Sequence, residues 1–341
     1  MSLEELGAFI QQIGEPKFRA KQIYGWLTSG TPISEMTNLS KALREKLSAL
    51  VLDTLPRVKE KLVSKIDGTV KYLFELYDGE CVESVLMRYK HGNTLCISSQ
   101  VGCRMGCKFC ASTIGGKLRD LRPSELLGQV ISAERDSKER VSNIVMMGIG
   151  EPLDNYDNVI KFLKLVGSPD GLNIGYRHIS LSTCGVVPGI RRLMKEDLPI
   201  TLSISLHASD DATRSAIMPI NNKWNIDELL SACCDYYSAT KRRISFEYTL
   251  ISGKNDSPDG ARALSRLLKR YFTPIGAPIH VNLIRVNEVA STGFVRGSQD
   301  SVNEFARILN ESGVTATVRR RLGADINGAC GQLRRQSASK S

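Results

Sequence analysis

The sequence predicts an α/β fold, a parallel barrel or open parallel sheet behind a small helical unit, and three observations carry that expectation. Beyond residue 93, short apolar runs at residues 95–97, 144–147, 179–181, 200–206, 244–250 and 279–284 are each followed by a candidate amphipathic helix. Strand and helix alternating in series are the mark of parallel βα units. The first fifty residues repeat apolar side chains at helical spacing instead, and between the two regions the period drops to two.

Taken in order, Ser2-x-x-Glu5 is a capping-box signature that starts the first helix. Ala20, Ile23, Tyr24 and Leu27 mark a second, and Leu39, Leu43, Leu47 and Leu50 a third, with Gly30-Thr31-Pro32 breaking the pattern between them. Lys17, Arg19, Lys21, Lys41, Arg44 and Lys46 make this unit basic. Val70, Tyr72, Phe74 and Leu76 alternate as a strand does, and Asp78-Gly79 is a hairpin turn leading to a second strand over residues 82–87. We expect a helical domain over residues 1–55, a β-rich connection over 56–92, the βα domain over 93–318 and a C-terminal segment over 319–341. Parallel units gather ligand chemistry at the C-terminal ends of their strands. Polar residues stand there: a cysteine loop after the first run, Gly148-Ile-Gly150-Glu151-Pro152 after the second, Ser182-Thr183 at the third, Ser205-Leu-His207 at the fourth and Asn282 on the sixth.

The 42% hydrophobic and 24% charged composition excludes a disordered chain. No apolar run is long enough to span a bilayer, and the first residues lack the basic start and apolar middle of a signal peptide, so a cytoplasmic protein without membrane contact is expected. Nine cysteines, an odd number spread over motif, strand and helix contexts, favour metal and redox chemistry over a disulfide framework. A formal charge of +10 and a pI near 9.1 suit a polyanionic partner. Part of that excess flanks a single cysteine, with Arg319, Arg320 and Arg321 before Cys330 and Arg334 and Arg335 after it.

Cys103, Cys107 and Cys110 form a C-x3-C-x2-C loop, with Phe109 before the last cysteine. Three thiolates at this spacing suit three corners of an iron-sulfur cube that normally takes four, which leaves one iron open to a ligand from outside the protein. The alternative at this point is a zinc site with a distant fourth ligand. Gly148-x-Gly150 begins a dinucleotide fingerprint, but Leu153 occupies its third glycine position, which disfavours nicotinamide. A cofactor whose amino and carboxylate groups chelate the open iron would use Glu151 for its ammonium and serine hydroxyls at neighbouring strand ends for its carboxylate or ribose. S-adenosylmethionine has those groups.

The cysteine loop resembles that of the radical S-adenosylmethionine superfamily, whose usual domain is a partial (βα)6 barrel of the TIM type. More narrowly, the chain resembles the RlmN/Cfr family of RNA adenosine methyltransferases. The stretches that carry the likeness are Phe18-Arg-Ala-Lys-Gln22, Met36-Thr-Asn-Leu-Ser40, Glu83-Ser-Val-Leu-Met87, Cys96-Ile-Ser-Ser-Gln-Val-Gly-Cys103, Gly148-Ile-Gly-Glu-Pro152, Ser205-Leu-His207, His280-Val-Asn-Leu-Ile284 and Gly328-Ala-Cys-Gly-Gln-Leu333. The Gly-Glu-Pro form resembles the RlmN branch. The resemblance implies a 4Fe–4S cluster on Cys103, Cys107 and Cys110, and S-adenosylmethionine held by Gly150, Glu151, Ser182, Ser205, His207 and Asn282. It implies that Cys330 becomes an S-methylcysteine. A deoxyadenosyl radical takes hydrogen from that methyl group, which then adds to the adenine ring. Glu83 would remove the ring proton, and Cys96 would attack the Cys330 sulfur, release the base and leave a disulfide. The implied product is 2-methyladenosine at adenosine 2503 of 23S rRNA and at adenosine 37 of some tRNAs, with two S-adenosylmethionine molecules used per turnover. A flavodoxin-like electron donor and a monomeric enzyme belong to the same expectation.

Each of these residues also has a plainer reading. Cys96 in an apolar strand could be a small buried hydrophobe, Glu83 a solvent-facing strand residue and His207 a strand-end core histidine. Cys233 and Cys234 read as packing residues in a helix, and Cys184, beside Ser182-Thr183, as an extra thiol near the cofactor pocket, while Cys81 has no assigned role. Arg285, where many relatives have proline, departs from the family pattern. Methylation at carbon 8 of the same adenosine, and a zinc-dependent RNA-binding module without catalysis, are the alternative functions.

Overall fold

The structure is a computed structural model, and it describes residues 1–287 and 293–326. Cys330 and the motif around it lie outside the described residues. Three helices, α1 (Leu3–Gln12), α2 (Phe18–Thr28) and α3 (Lys41–Leu50), come first. Ser2 and Glu5 form the expected reciprocal cap on α1, and Ser40 caps α3. Leu6, Ile10, Ala20, Ile23, Tyr24, Leu39, Leu43 and Leu47 share a small core of their own, whereas Leu27 and Leu50, at the ends of their stripes, stay exposed. This unit meets the rest of the chain through Glu5, which pairs with Lys161 at 2.6 Å, and through the Gly30 carbonyl, which accepts from Arg135.

Strands β1 (Arg57–Val63), β2 (Val70–Glu75), β3 (Cys81–Tyr89) and β4 (Gly92–Cys96) are antiparallel neighbours. After the short hairpin of β5 (Gln100–Gly102) and β6 (Lys117–Asp120), the chain alternates regularly through α4 (Pro123–Ser137), β7 (Val141–Met146), α5 (Tyr156–Gly167), β8 (Ile179–Thr183), α6 (Val187–Leu193) and β9 (Thr201–Ser205). It continues through α7 (Asp211–Ile217), α8 (Ile226–Thr240), β10 (Ile244–Leu250), α9 (Pro258–Phe272), β11 (His280–Arg285), α10 (Gln299–Glu311) and β12 (Thr315–Val318). Strands β4, β7, β8, β9, β10, β11 and β12 are parallel and lie side by side in chain order, with β1 to β3 extending the same ten-stranded sheet beyond β4. All six apolar runs fall on or against these strands, so the open, partial (βα)6 barrel is the observed fold.

The two faces of the parallel sheet differ in chemistry. Leu95, Ile144, Leu181, Leu202, Ile204, Phe246, Tyr248, Val281 and Leu283 point to the helices and form the main core. On β8, β9, β10 and the first part of β11 their strand neighbours point inward and are polar. The side chains of Ser180 and Ser203 bond each other at 2.9 Å, Ser245 bonds both Glu247 and His280, and His280 meets Thr317. The concave face therefore presents hydroxyls, an imidazole and a carboxylate, the lining expected of a polar ligand site. Among the described residues no helix is long and apolar enough to cross a membrane.

Candidate active site

The cysteine loop follows β4 and is shaped by the β5–β6 hairpin. The Cys103 amide donates to the Gly116 carbonyl at 2.9 Å, the Thr113 hydroxyl donates to the Cys107 and Cys110 carbonyls, and the Lys108 amide ties the loop to Ile217 at the end of α7. Met105, Cys107 and Phe109 pack on an apolar group of Cys184, Ile217, Met218, Ile251 and Val286. All three cysteines are free thiols. Burial, then the charge of Cys110, pushes the Cys103 thiol up to about 12, and burial followed by the charges of Cys110 and Cys103 raises Cys107 too. Deprotonating neighbouring thiols in an apolar pocket is costly unless a cationic iron centre offsets it. The three residues fit a cluster on that ground. Among the described residues no three His, Cys, Asp or Glu side chains converge as a single-metal site would require.

The Gly148-Ile-Gly150 loop lies against the chain that leaves β4. A Cβ at residue 148 would stand 2.5 Å from the Ile97 carbonyl oxygen, and one at 150 would stand 2.7 Å from the Gln100 amide nitrogen. Only glycine permits that approach, and Gly150 also has φ +107. The approach carries Glu151 into the interior. One of its oxygens accepts from the Leu153 amide at 3.0 Å and the other from the Cys184 amide at 2.7 Å. Burial raises its carboxyl above the usual range while these bonds pull it down, and its partners among the described residues are backbone, hydroxyl and thiol donors of Leu153, Thr183 and Cys184. A buried carboxylate so placed fits a ligand ammonium.

Ser182, Ser205 and Asn282 stand on the concave face of β8, β9 and β11. Ser182 is in register with Ser203, while Glu247 of β10 is in register with both Ser205 and Asn282. Glu247 was not anticipated from sequence. Buried at 3% exposure, it accepts from Asn282 Nδ2 at 2.7 Å and from the Ser245 hydroxyl at 3.1 Å, and so fixes which way the Asn282 amide faces. Its carbonyl also accepts from the His207 amide. The available signal was a lone acid inside the fully buried run Ile-Ser-Phe-Glu-Tyr-Thr-Leu.

His207 has φ +57, its ring meets Phe109 edge-on at 5.1 Å, and its Nδ1 accepts from the Thr249 amide at 2.9 Å. An amide can only donate, so Nε2 carries the proton of the neutral ring. Burial, then the charge of Arg214, lowers its pKa to about 3. The unfolded chain binds that proton near pH 6.5 and the folded chain does not, so stability is full above pH 6.5 and falls as pH drops towards 3. Replacing His207 by Gln is expected to remove this part of the pH dependence, on the order of a few kcal/mol. Thermal melting of both proteins between pH 4 and 7 checks it.

Arg214 was also missed. Wholly buried, it donates to the carbonyls of Cys184 at 2.7 Å, Ser205 at 3.2 Å and Leu206 at 3.1 Å, and to Asn221 Oδ1 at 2.9 Å. One guanidinium thus ties the ends of β8 and β9 together just where Ser205 and His207 leave the sheet.

On β3, Val82 and Leu86 join the main core and Ser84 bonds Gln129 of α4, so Glu83, Val85 and Met87 take the opposite, inner face. Val85 pairs with Cys96, and these two pack with Met87, Val145, Met147 and Leu322. Glu83 and Cys96 are then diagonal neighbours on one face, roughly 7–8 Å apart. Glu83 does not face solvent as its plainer reading had it: it is fully buried and its carboxylate meets Lys71 Nζ at 3.0 Å, while Cys96 is 5% exposed, a burial its plainer reading shares. The expected Cys96–Cys330 disulfide involves a residue outside the described residues. Cys233 is buried in the main core, and Cys234 donates to the Tyr271 carbonyl.

Residues 97–262 match the model of the radical SAM superfamily, and residues 1–52 match that of the ribosomal RNA large subunit methyltransferase N-terminal domain. The chain is 53% identical, over 98% of its length and 95% of the relative's, to a probable dual-specificity RNA methyltransferase RlmN of Clostridium botulinum. It is 51% identical, over 100% of its length and 94% of the relative's, to a protein of the same description from Lachnoclostridium phytofermentans. Among solved structures, a radical SAM methyltransferase from Sphaerobacter thermophilus superposes with a TM-score of 0.92 at 40% identity, covering 97% of each chain.

Proposed function

Because this chain belongs to the RlmN family of radical S-adenosylmethionine RNA methyltransferases, which use a 4Fe–4S cluster and S-adenosylmethionine, we propose that it makes 2-methyladenosine at adenosine 2503 of 23S rRNA and at adenosine 37 of some tRNAs. The observation that supports this most is the shared inner face of Glu83 and Cys96, which sets a carboxylate and a cysteine sulfur beside each other just ahead of the cluster loop. Carbon 2 of adenine is too electron-poor to attack an electrophilic methyl group directly, so a relay through the protein is needed. When bound, the cluster supplies the electron that cleaves S-adenosylmethionine to a deoxyadenosyl radical.

The chain's own residues do the rest. Cys103, Cys107 and Cys110 hold three irons; Glu151 receives the cofactor ammonium; Ser182, Ser205, His207 and Asn282 orient its remaining polar groups, with Gly150 shaping the loop. Cys330 accepts the methyl group as a sulfur nucleophile and carries it to the ring. Glu83 takes the ring proton, and Cys96 frees the base by attacking the Cys330 sulfur. Carbon-8 methylation would use the same residues, but the Gly-Glu-Pro loop and the relatives' descriptions favour carbon 2. The family match leaves a zinc-binding module without catalysis unfavoured. The base must leave its stack to react, so RNA not yet assembled into ribosomes is the form expected to be accepted, with a flavodoxin-like protein as reductant and a monomer in the cytoplasm as the working state. Nucleoside mass spectrometry of unmodified 23S rRNA and tRNA treated with the reconstituted enzyme tests the reading. A peak matching the 2-methyladenosine standard is expected, and 8-methyladenosine, or no product from a protein with an intact cluster, would sink it.

The basic tail divides in the structure. Arg319 turns inward, with Nη1 3.7 Å from Met147 Sδ and its charge acting on Glu247, while Arg320 and Arg321 are exposed. Replacing Arg320 and Arg321 by Gln is expected to weaken RNA binding and to flatten the plot of log affinity against log salt by up to about one unit per arginine. Filter binding from 50 to 300 mM salt reads the slope; an unchanged slope assigns both residues to solubility alone.

A further inference from the structure

The turn between β1 and β2 is built to receive a partner. Ser64 and Thr69 close it, with the Ser64 amide donating to the Thr69 carbonyl at 2.8 Å, and inside it the Ser64 oxygen accepts from the amides of Ile66 and Asp67. Two donors, the Ser64 hydroxyl and the Lys65 amide, and one acceptor, Asp67 Oδ2, point out of the turn. All three are met by one short stretch some 260 residues later. Asp325 accepts from the Ser64 hydroxyl at 2.6 Å and from the Lys65 amide at 2.8 Å, and the Gly323 amide donates to Asp67 at 2.9 Å. Between those contacts and β12, Leu322 packs against the group of Val85, Met87 and Cys96.

Here the chain that leaves the last strand is fastened twice. An apolar side chain seats it beside Cys96, and a carboxylate ties it to the accessory strands. Cys330 is five chain steps beyond Asp325, so the cysteine can lie no more than about 18 Å from the tie, Cα to Cα. An untethered tail would sample a far larger volume, and fixing a reacting group near its target converts an encounter into an intramolecular step.

We propose that Leu322 and Asp325 are positioning residues that moor the C-terminal segment to the β1–β2 turn and to the Cys96 face, so that Cys330 is delivered where the base and Cys96 meet. The proposal rests on Cys330 being the methyl carrier, as argued above. It gives the three antiparallel strands a purpose beyond widening the sheet: their first turn is the mooring post.

The test is Asp325→Ala in the reconstituted full-length enzyme, with Asp325→Asn as the conservative control. Three quantities are measured with unmodified RNA: total deoxyadenosine formed, the ratio of deoxyadenosine to methylated adenosine, and hydrogen exchange of the turn at residues 64–69. Asp325→Ala is expected to keep its iron and to cleave S-adenosylmethionine within about twofold of the parent rate, while the ratio rises at least tenfold and the Lys65 amide exchanges faster. Asn retains an acceptor and should restore most of the coupling. Tight coupling in Asp325→Ala, or parallel loss of iron and cleavage, would overturn the positioning role. Cys330→Ala separates the two layers of argument. If that protein still methylates RNA, the carrier assignment fails; if it is silent while Asp325→Ala stays coupled, only the mooring fails.

Discussion

Cys96→Ala protein is expected to stop after one round with the RNA bonded to it. Cys96 sits at 5% exposure among Val85 and Met87, so removing its sulfur leaves a small cavity whose cost is on the order of 1–2 kcal/mol, well within what a chain of this size tolerates. The cluster loop begins seven residues later and takes its shape from the β5–β6 hairpin, which the substitution does not touch. Methyl transfer to Cys330, radical formation and attachment to the base therefore proceed, and only release is blocked. A protein–RNA species that survives denaturing gels should accumulate to about one equivalent, and its linked peptide should contain Cys330 plus one methylene carbon. Cys330→Ala, which lacks the methyl acceptor, should give neither adduct nor methylated RNA. Normal turnover by Cys96→Ala, or the absence of adduct from protein with an intact cluster and S-methylated Cys330, would return Cys96 to the strand core.

The elements that local pattern dictates were legible. A capping box, a two-residue hairpin signal and apolar runs are written within a few residues of each other, and each appears where it was expected. The polar lining was harder to see, because β10 and β11 read as apolar stretches until the sheet shows that alternate side chains face opposite ways. Glu247 and Arg214 act on neighbouring strands, so their meaning depends on register. A sequence shows an acid and an arginine; only the sheet shows that one holds Asn282 and the other binds two strand ends. The mooring of residues 323–325 to residues 64–67 is the extreme case, since nothing local in either stretch names the other. The pairing of Glu83 with Lys71 was hidden for the same reason.

Lys71→Met is expected to lower stability by about 3–5 kcal/mol, because it removes the ammonium that meets the buried Glu83 carboxylate at 3.0 Å. Both side chains are at most 1% exposed, so water cannot replace the lost partner. The double variant Lys71→Met/Glu83→Leu removes the charges together and puts apolar groups of similar volume in their place, an exchange that is often neutral or stabilising. It should regain most of the lost melting temperature. Chemistry then separates from folding. If Glu83 takes the ring proton, the stable double variant still methylates Cys330 and still cleaves S-adenosylmethionine, yet forms methylated adenosine at least about a hundredfold more slowly, the lower end of what a positioned base contributes. Thermal melting and single-turnover product analysis of the parent, single and double variants decide both points. A double variant as unstable as Lys71→Met would show that the ion pair does not set the cost, and one that methylates RNA at near the parent rate would show that another group accepts the proton.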